Sequence, residues 1–123
     1  MMIMIFKNPG SRGYGGEAAL LMILDVGTDR LTAHPSARRT TQDVINGIIK
    51  AYGSRCKVKF CHCDDASELK KACQVQRIPC GTSAPYIHQE NGLIEAINRI
   101  ELYGGKASFE QCGAPHCFWP LGL

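Results

Sequence analysis

The sequence predicts an α/β domain, a mixed sheet flanked by helices, in which the first strands are joined by hairpins and the later ones through helices. Three observations predict it. Residues 20–24 are an unbroken apolar run between Gly15-Gly16 and Gly27, as a strand buried on both faces requires. Val44, Ile45, Ile48, Ile49 and Tyr52 recur at helical spacing. Beyond them, extended and helical patterns alternate to residue 100, with no internal repeat and no low-complexity linker.

Taken in order, each element has a local cause. Residues 1–6 are apolar but too short for a signal-peptide core, and Lys7-Asn-Pro-Gly10 ends them. Residues 31–34 return beside 20–24 as a hairpin partner. Thr40-Thr-Gln-Asp43 starts a helix that stops at Gly53. Val58 and Phe60 alternate with Lys57 and Lys59, so residues 57–63 read as a strand with one basic face. A short helix follows, with Leu69, Ala72 and Cys73 inward and Lys70 and Lys71 outward. Two prolines and a glycine interrupt residues 76–85, and an extended stretch spans 86–88. In the last helix Leu93, Ile97 and Ile100 make the expected buried face, with Glu95 and Arg99 one turn apart on another.

Composition narrows the function classes. A chain of 123 residues, 45% hydrophobic, is one domain that can bury a core without covalent staples. A net charge of +3 permits anionic partners without requiring them. Seven cysteines, an odd number, fall mostly inside predicted strands and helices, which favours buried free thiols in a reducing compartment, nuclear or cytoplasmic. No apolar run approaches the length of a membrane span.

Two separated segments carry the chemistry. Residues 57–69 end a strand in Asp64 and Asp65, and residues 82–99 open a helix with Glu95 in its second turn. Carboxylates delivered from a strand end and a helix start, in a chain containing 14 Lys and Arg, suit metal-dependent phosphodiester chemistry. Plainer roles compete: Asp64 and Asp65 can cap the helix beginning near Ala66, Glu95 can pair with Arg99, and Asn91-Gly92 is an ordinary turn signal. Arg38, Arg39, Arg55, Lys57, Lys59, Lys70 and Lys71 supply either a phosphate-contacting surface or a solvated face. The Cys61-His62-Cys63 triplet, and separately Cys112, His116 and Cys117, lack the paired spacing of common structural zinc sites. On a strand His62 also points away from its two Cys neighbours, which argues against zinc. No cysteine has a recognisable base partner, so a thiol nucleophile is not expected.

These residues resemble a known family. His62-Cys-Asp-Asp-Ala-Ser-Glu-Leu69 resembles the strand-end motif of retroviral and retrotransposon integrase catalytic cores, and Thr82-Ser-Ala-Pro-Tyr86 with Gln89-Glu-Asn-Gly-Leu-Ile-Glu95 resembles their Pro-Tyr, Gln, Asn-Gly and Glu signature. Leu24-Asp-Val-Gly-Thr28 with His34-Pro35 looks like the second strand and its hairpin, and Gly113-Ala-Pro-His-Cys-Phe-Trp-Pro120 looks like an element of Copia-type proteins. The resemblance implies an RNase H-like mixed five-stranded sheet flanked by helices, spanning residues 1–123 as one domain. It implies Mg²⁺-dependent (or Mn²⁺-dependent) DNA 3′-processing and strand transfer, with Asp64 and Glu95 as catalytic metal ligands. DNA contacts would come from Asn91, Gly92, Arg99, Lys70 and Lys71, and pairing as a homodimer is implied as well. The family's first acid lies on the first strand, where residues 1–6 have none, and Asp25 is the nearest substitute ligand. The core is then degenerate, either a weakened enzyme or a non-catalytic nucleic-acid- or protein-binding remnant. A thioredoxin-like binding domain, with Pro85 before a strand and no Cys-x-x-Cys, is the reading from a different class.

Overall fold

The computed structural model describes residues 2–7, 12–54, 58–63, 65–82 and 89–121; for 2–7, 82 and 89–91 the description concerns the backbone alone. Three antiparallel strands, β1 (Met2–Lys7), β2 (Ala19–Asp25) and β3 (Arg30–Ser36), are joined by hairpins. Two shorter strands, β4 (Cys61–Cys63) and β5 (Cys80–Thr82), extend the sheet in parallel with β1, giving the order β3-β2-β1-β4-β5. Helices α1 (Thr41–Tyr52) and α2 (Ser67–Val75) lie between β3 and β5 in the chain, and α3 (Gln89–Cys112) and a 3₁₀ helix (His116–Leu121) follow.

The apolar run 20–24 is interior to the sheet, between β1 and β3, and is buried along its whole length. Its two faces serve different helices. Leu21 and Ile23 pack with Val44, Ile45 and Ile48 of α1, Leu69, Ala72 and Cys73 of α2, and Cys61 and Cys63 of β4. Leu24 points the other way, against Ile94 of α3, with Leu31 and Ile97 beside them. The alternation follows from the pleat, and it places α1 and α2 on one face and α3 on the other.

Helix α1 begins where the sequence signals it. Thr40 Oγ1 accepts from the Asp43 amide at 3.2 Å, and the Asp43 carboxylate accepts from the Thr40 amide at 3.3 Å, a reciprocal capping box. Gly53 ends the helix at φ 83°, in the left-handed region that glycine enters without strain. Gly47 lets α1 approach the sheet closely: a Cβ there would lie 2.4 Å from Leu21 Cδ2 and 3.1 Å from His34 Cδ2.

Elsewhere the structure departs from the sequence pattern. Within residues 57–63 only Cys61–Cys63 is strand; Val58 is half-buried and Phe60 exposed, and residue 57 lies outside the described residues. Pairing starts only where the neighbouring chain comes alongside, with the Cys61 amide donating to the Pro79 carbonyl at 2.8 Å. The extended stretch expected at 86–88 lies outside the described residues, whereas β5 has no periodic signal in its three residues. Helix α3 turns a different face to the sheet. Ile94 is 1% exposed and Asn98 2%, but Leu93 is 48% and Ile100 73% exposed. The buried line runs through Ile94, Asn98 and Gly105, so an amide and a glycine occupy core-facing positions and the apolar stripe through Leu93 and Ile100 faces outward.

The 3₁₀ helix returns to the loop between β1 and β2. The Tyr14 amide donates to the Cys117 carbonyl at 2.6 Å, and the Tyr14 and Phe118 rings stack at 5.2 Å between centroids. Among the described residues no helix is long and apolar enough to cross a membrane.

Candidate functional site

The strand register determines where the acids can meet. Met2 pairs with Leu24 on one side and His62 on the other, and Ile3 pairs with Ile23 and Cys63. Asp64 follows Cys63 in the chain but lies outside the described residues. Asp25 ends β2, one residue beyond Leu24. Counting from Cys63, Asp25 is two residue rows along and two strands across, roughly 12 Å between Cα atoms at ordinary sheet spacings. Its Oδ1 accepts from the Gly27 amide at 3.0 Å, closing the turn into β3. Asp25 is thus engaged in its own hairpin. No residue of β1 is an acid.

Glu95 is exposed on α3, directly after Ile94, which anchors the helix on Leu24. Arg99 is exposed one turn further on. Helix α3 begins at Gln89, so Asn91-Gly92 lies within its first turn rather than in a preceding loop. Lys70 is tied to Asp65 by a hydrogen-bonded ion pair that raises its pKa, and Lys71 is exposed. A metal centre of two ions needs several carboxylates around it. With none on β1 and Asp25 turned into its hairpin, the described residues do not by themselves complete such a centre, and Asp64 lies outside them.

Two clusters take their form only in the fold, the first joining Arg12 to the basic candidates Arg38 and Arg39. Arg12, Arg38 and Arg39 line a cleft of about 570 Å³ together with Ala18, Ala19, Ala37 and Glu68. Glu68 pairs with Arg39. Burial works to raise the Glu68 pKa, but its own backbone amide and Arg39 outweigh burial and hold it low. Arg12 is distant in sequence from Arg38 and Arg39, and only the β1–β2 loop brings it alongside; of the other basic candidates, Arg55 and Lys57 lie outside the described residues.

The second cluster gathers thiols. The Sγ atoms of Cys61, Cys73 and Cys80 all lie within 4.8 Å of one another, and Cys63 Sγ is 2.7 Å from Cys80 Sγ. Hydrogen bonds donated by Cys61 and Cys63 draw Cys73 down to about 5 against the opposing effect of burial. The bonds Cys61 makes to Cys63 and Cys73, and then burial, push Cys61 up. For Cys63 the bond from Cys61 lowers the pKa, but its bond to Cys73 and its burial leave it raised. Burial, then Cys63, lifts Cys80 to about 11. The expected alternation on β4 holds, since Cys61 and Cys63 share the buried face. Their partners come from α2 and β5, which no short motif could reveal.

Comparison with known proteins yields a likeness of fold. No family model and no curated protein matches the chain. Among solved structures 246 chains match. A chain in the cryoEM structure of the simian T-cell lymphotropic virus intasome in complex with PP2A regulatory subunit B56 gamma matches with TM-score 0.72 at 18% identity. The match covers 98% of the present chain and 45% of that one, so this protein spans less than half its length. At that identity the finding is that this mixed α/β chain shares the fold of a component of a retroviral intasome complex.

Proposed function

We propose that this chain is an RNase H-like domain of the integrase-core kind, closest to the Copia type in its motifs, that binds DNA and has lost efficient strand transfer. One observation carries the reading. The sheet runs β3-β2-β1-β4-β5 with α3 across its second face, similar in fold to a chain of a retroviral intasome complex, yet β1 supplies no acid. Asp64 and Glu95 are the two acids of the integrase motif that remain. Because they do not complete a two-ion Mg²⁺ centre, no phosphoryl-transfer step is assigned to this chain. The arginine cleft supports contact with backbone phosphates, whose recognition requires charge and no base reading.

Fluorescence anisotropy with duplex DNA across a salt series, beside Mn²⁺ calorimetry on the wild type, Asp64→Asn and Glu95→Gln, tests the proposal. The expected result is salt-sensitive DNA binding without saturable Mn²⁺ uptake. Absence of DNA binding at low salt would remove the nucleic-acid reading. Saturable Mn²⁺ binding lost in both variants, together with strand transfer on DNA ends, would replace the depleted domain with a working enzyme.

The outward apolar stripe of α3, Leu93, Ala96, Ile100 and Tyr103, supports a homodimer through that helix. Ile100→Glu should shift a sedimenting dimer to monomer; a species unchanged by the variant would exclude this face.

A further inference from the structure

Four of the seven cysteines, Cys61, Cys63, Cys73 and Cys80, are delivered to one place by three different elements. Cys61 and Cys63 project from β4 onto the α1–α2 face, Cys73 meets them from α2, and Cys80 on β5 is the register partner of Cys61. Burial of cysteine alone is unremarkable, because a thiol packs as a small hydrophobe. Convergence of four is different, since nothing in apolar packing selects thiols over valine or alanine at four touching positions. Thiolates are the ligands that tetrahedral, soft-binding Zn²⁺ prefers, with Zn–S near 2.3 Å and hence S···S distances of about 3.8 Å. Three of the thiols already lie within 4.8 Å of one another, and the fourth is in contact with Cys80.

The geometry points to a tetrathiolate zinc site formed by Cys61, Cys63, Cys73 and Cys80. Cys61, Cys63 and Cys73 are fully buried, leaving no open coordination position for a substrate, so the site is structural. Cys80, exposed on the edge strand, provides the route of entry. On binding, each S–H bond still present is replaced by a Zn–S bond and its proton leaves, so that four thiolates around one Zn²⁺ give the centre a charge of −2. The Lys70 ammonium, which interacts electrostatically with Cys63 and Cys80, offsets part of that charge. The site has a mechanical task. β4 and β5 are only three residues each, too short for a ladder that holds firmly alone, and the ion ties both to α2. It thereby holds the strand end from which Asp64 departs. The assignment is independent of DNA binding.

Elemental analysis of the purified chain under thiol reductant, with Co²⁺ substitution, tests it. One zinc per chain is expected, as is a Co²⁺ adduct with the intense visible absorption of a tetrahedral site and a thiolate-to-cobalt charge-transfer band. Cys80→Ser, at an exposed position, should keep the fold and lose more than about 100-fold in Zn²⁺ affinity, beyond what removal of an outer-shell partner costs. Cys112→Ser and Cys117→Ser should leave affinity unchanged. Chelation should lower the melting temperature of the wild type but not of Cys80→Ser. Folded wild type that takes up no stoichiometric Zn²⁺ under reductant, or unchanged affinity in Cys80→Ser, would overturn the site. Recovery of a Cys63–Cys80 disulfide as the stable form in metal-containing buffer would also overturn it.

Discussion

Among the described residues helix α3 meets β2 through a small apolar cluster, and Ile94→Ala measures how much that seat is worth. Ile94 is 1% exposed and its fully buried partner is Leu24; Leu31 and Ile97 are half-buried. Truncation removes three carbons, about 2.4 kcal/mol at roughly 0.8 kcal/mol for each buried methylene. The cavity left behind adds to this, though a cluster so close to solvent can partly collapse, which puts the total near 3 kcal/mol, in the lower half of the range for such changes. Two companions give the figure meaning. Ile48→Ala, wholly buried in the larger cluster between α1, α2 and the sheet, should cost about 4 kcal/mol. Leu93→Ala, 48% exposed, should cost no more than about 1 kcal/mol. Urea unfolding of the three variants, with amide exchange along α3, tests the order Ile48, Ile94, Leu93. A larger loss from Leu93 than from Ile94 would refute the placement of α3 and with it the position of Glu95.

Four further outcomes follow from the same structure. Gly47→Ala should destabilise by up to about 2 kcal/mol in thermal unfolding, because a clash with buried Leu21, costing about 1–3 kcal/mol, outweighs the roughly 1 kcal/mol that alanine contributes to a helix. Thr40→Ala should cost about 1 kcal/mol through loss of the capping box, read by urea midpoint. Burial, then Lys50, lowers the His34 pKa from 6.5, so the unfolded chain binds its proton first. Stability should accordingly be complete above about pH 6.5 and fall as pH drops through the lowered folded value, and His34→Leu should flatten that slope in unfolding curves. Arg38→Ala should reduce the salt slope of DNA binding by about 0.9 for each phosphate that Arg38 neutralises. A smaller change is expected for Arg39→Ala, since Arg39 is already paired with Glu68.

Elements whose causes are local can be read from the chain alone. The apolar run of β2, the Thr40–Asp43 box, the Gly53 stop and the inward set Leu69, Ala72 and Cys73 depend on neighbours within a few residues, so their pattern is their explanation. Helix α3 was legible in type but not in facing, because its apolar stripe and its sheet contact are separate surfaces. That choice is made by Leu24, about seventy residues away. β5, three residues long, has no period to read and exists through pairing with β4. The same physics separates the candidate groups. Asp64 and Glu95 stood out through their order in the chain, whereas the arginine cleft and the four thiols arise where strand register and helix packing bring distant residues together. Spacing along a chain reports neighbours on one element; convergence from three elements is a property of the tertiary structure alone.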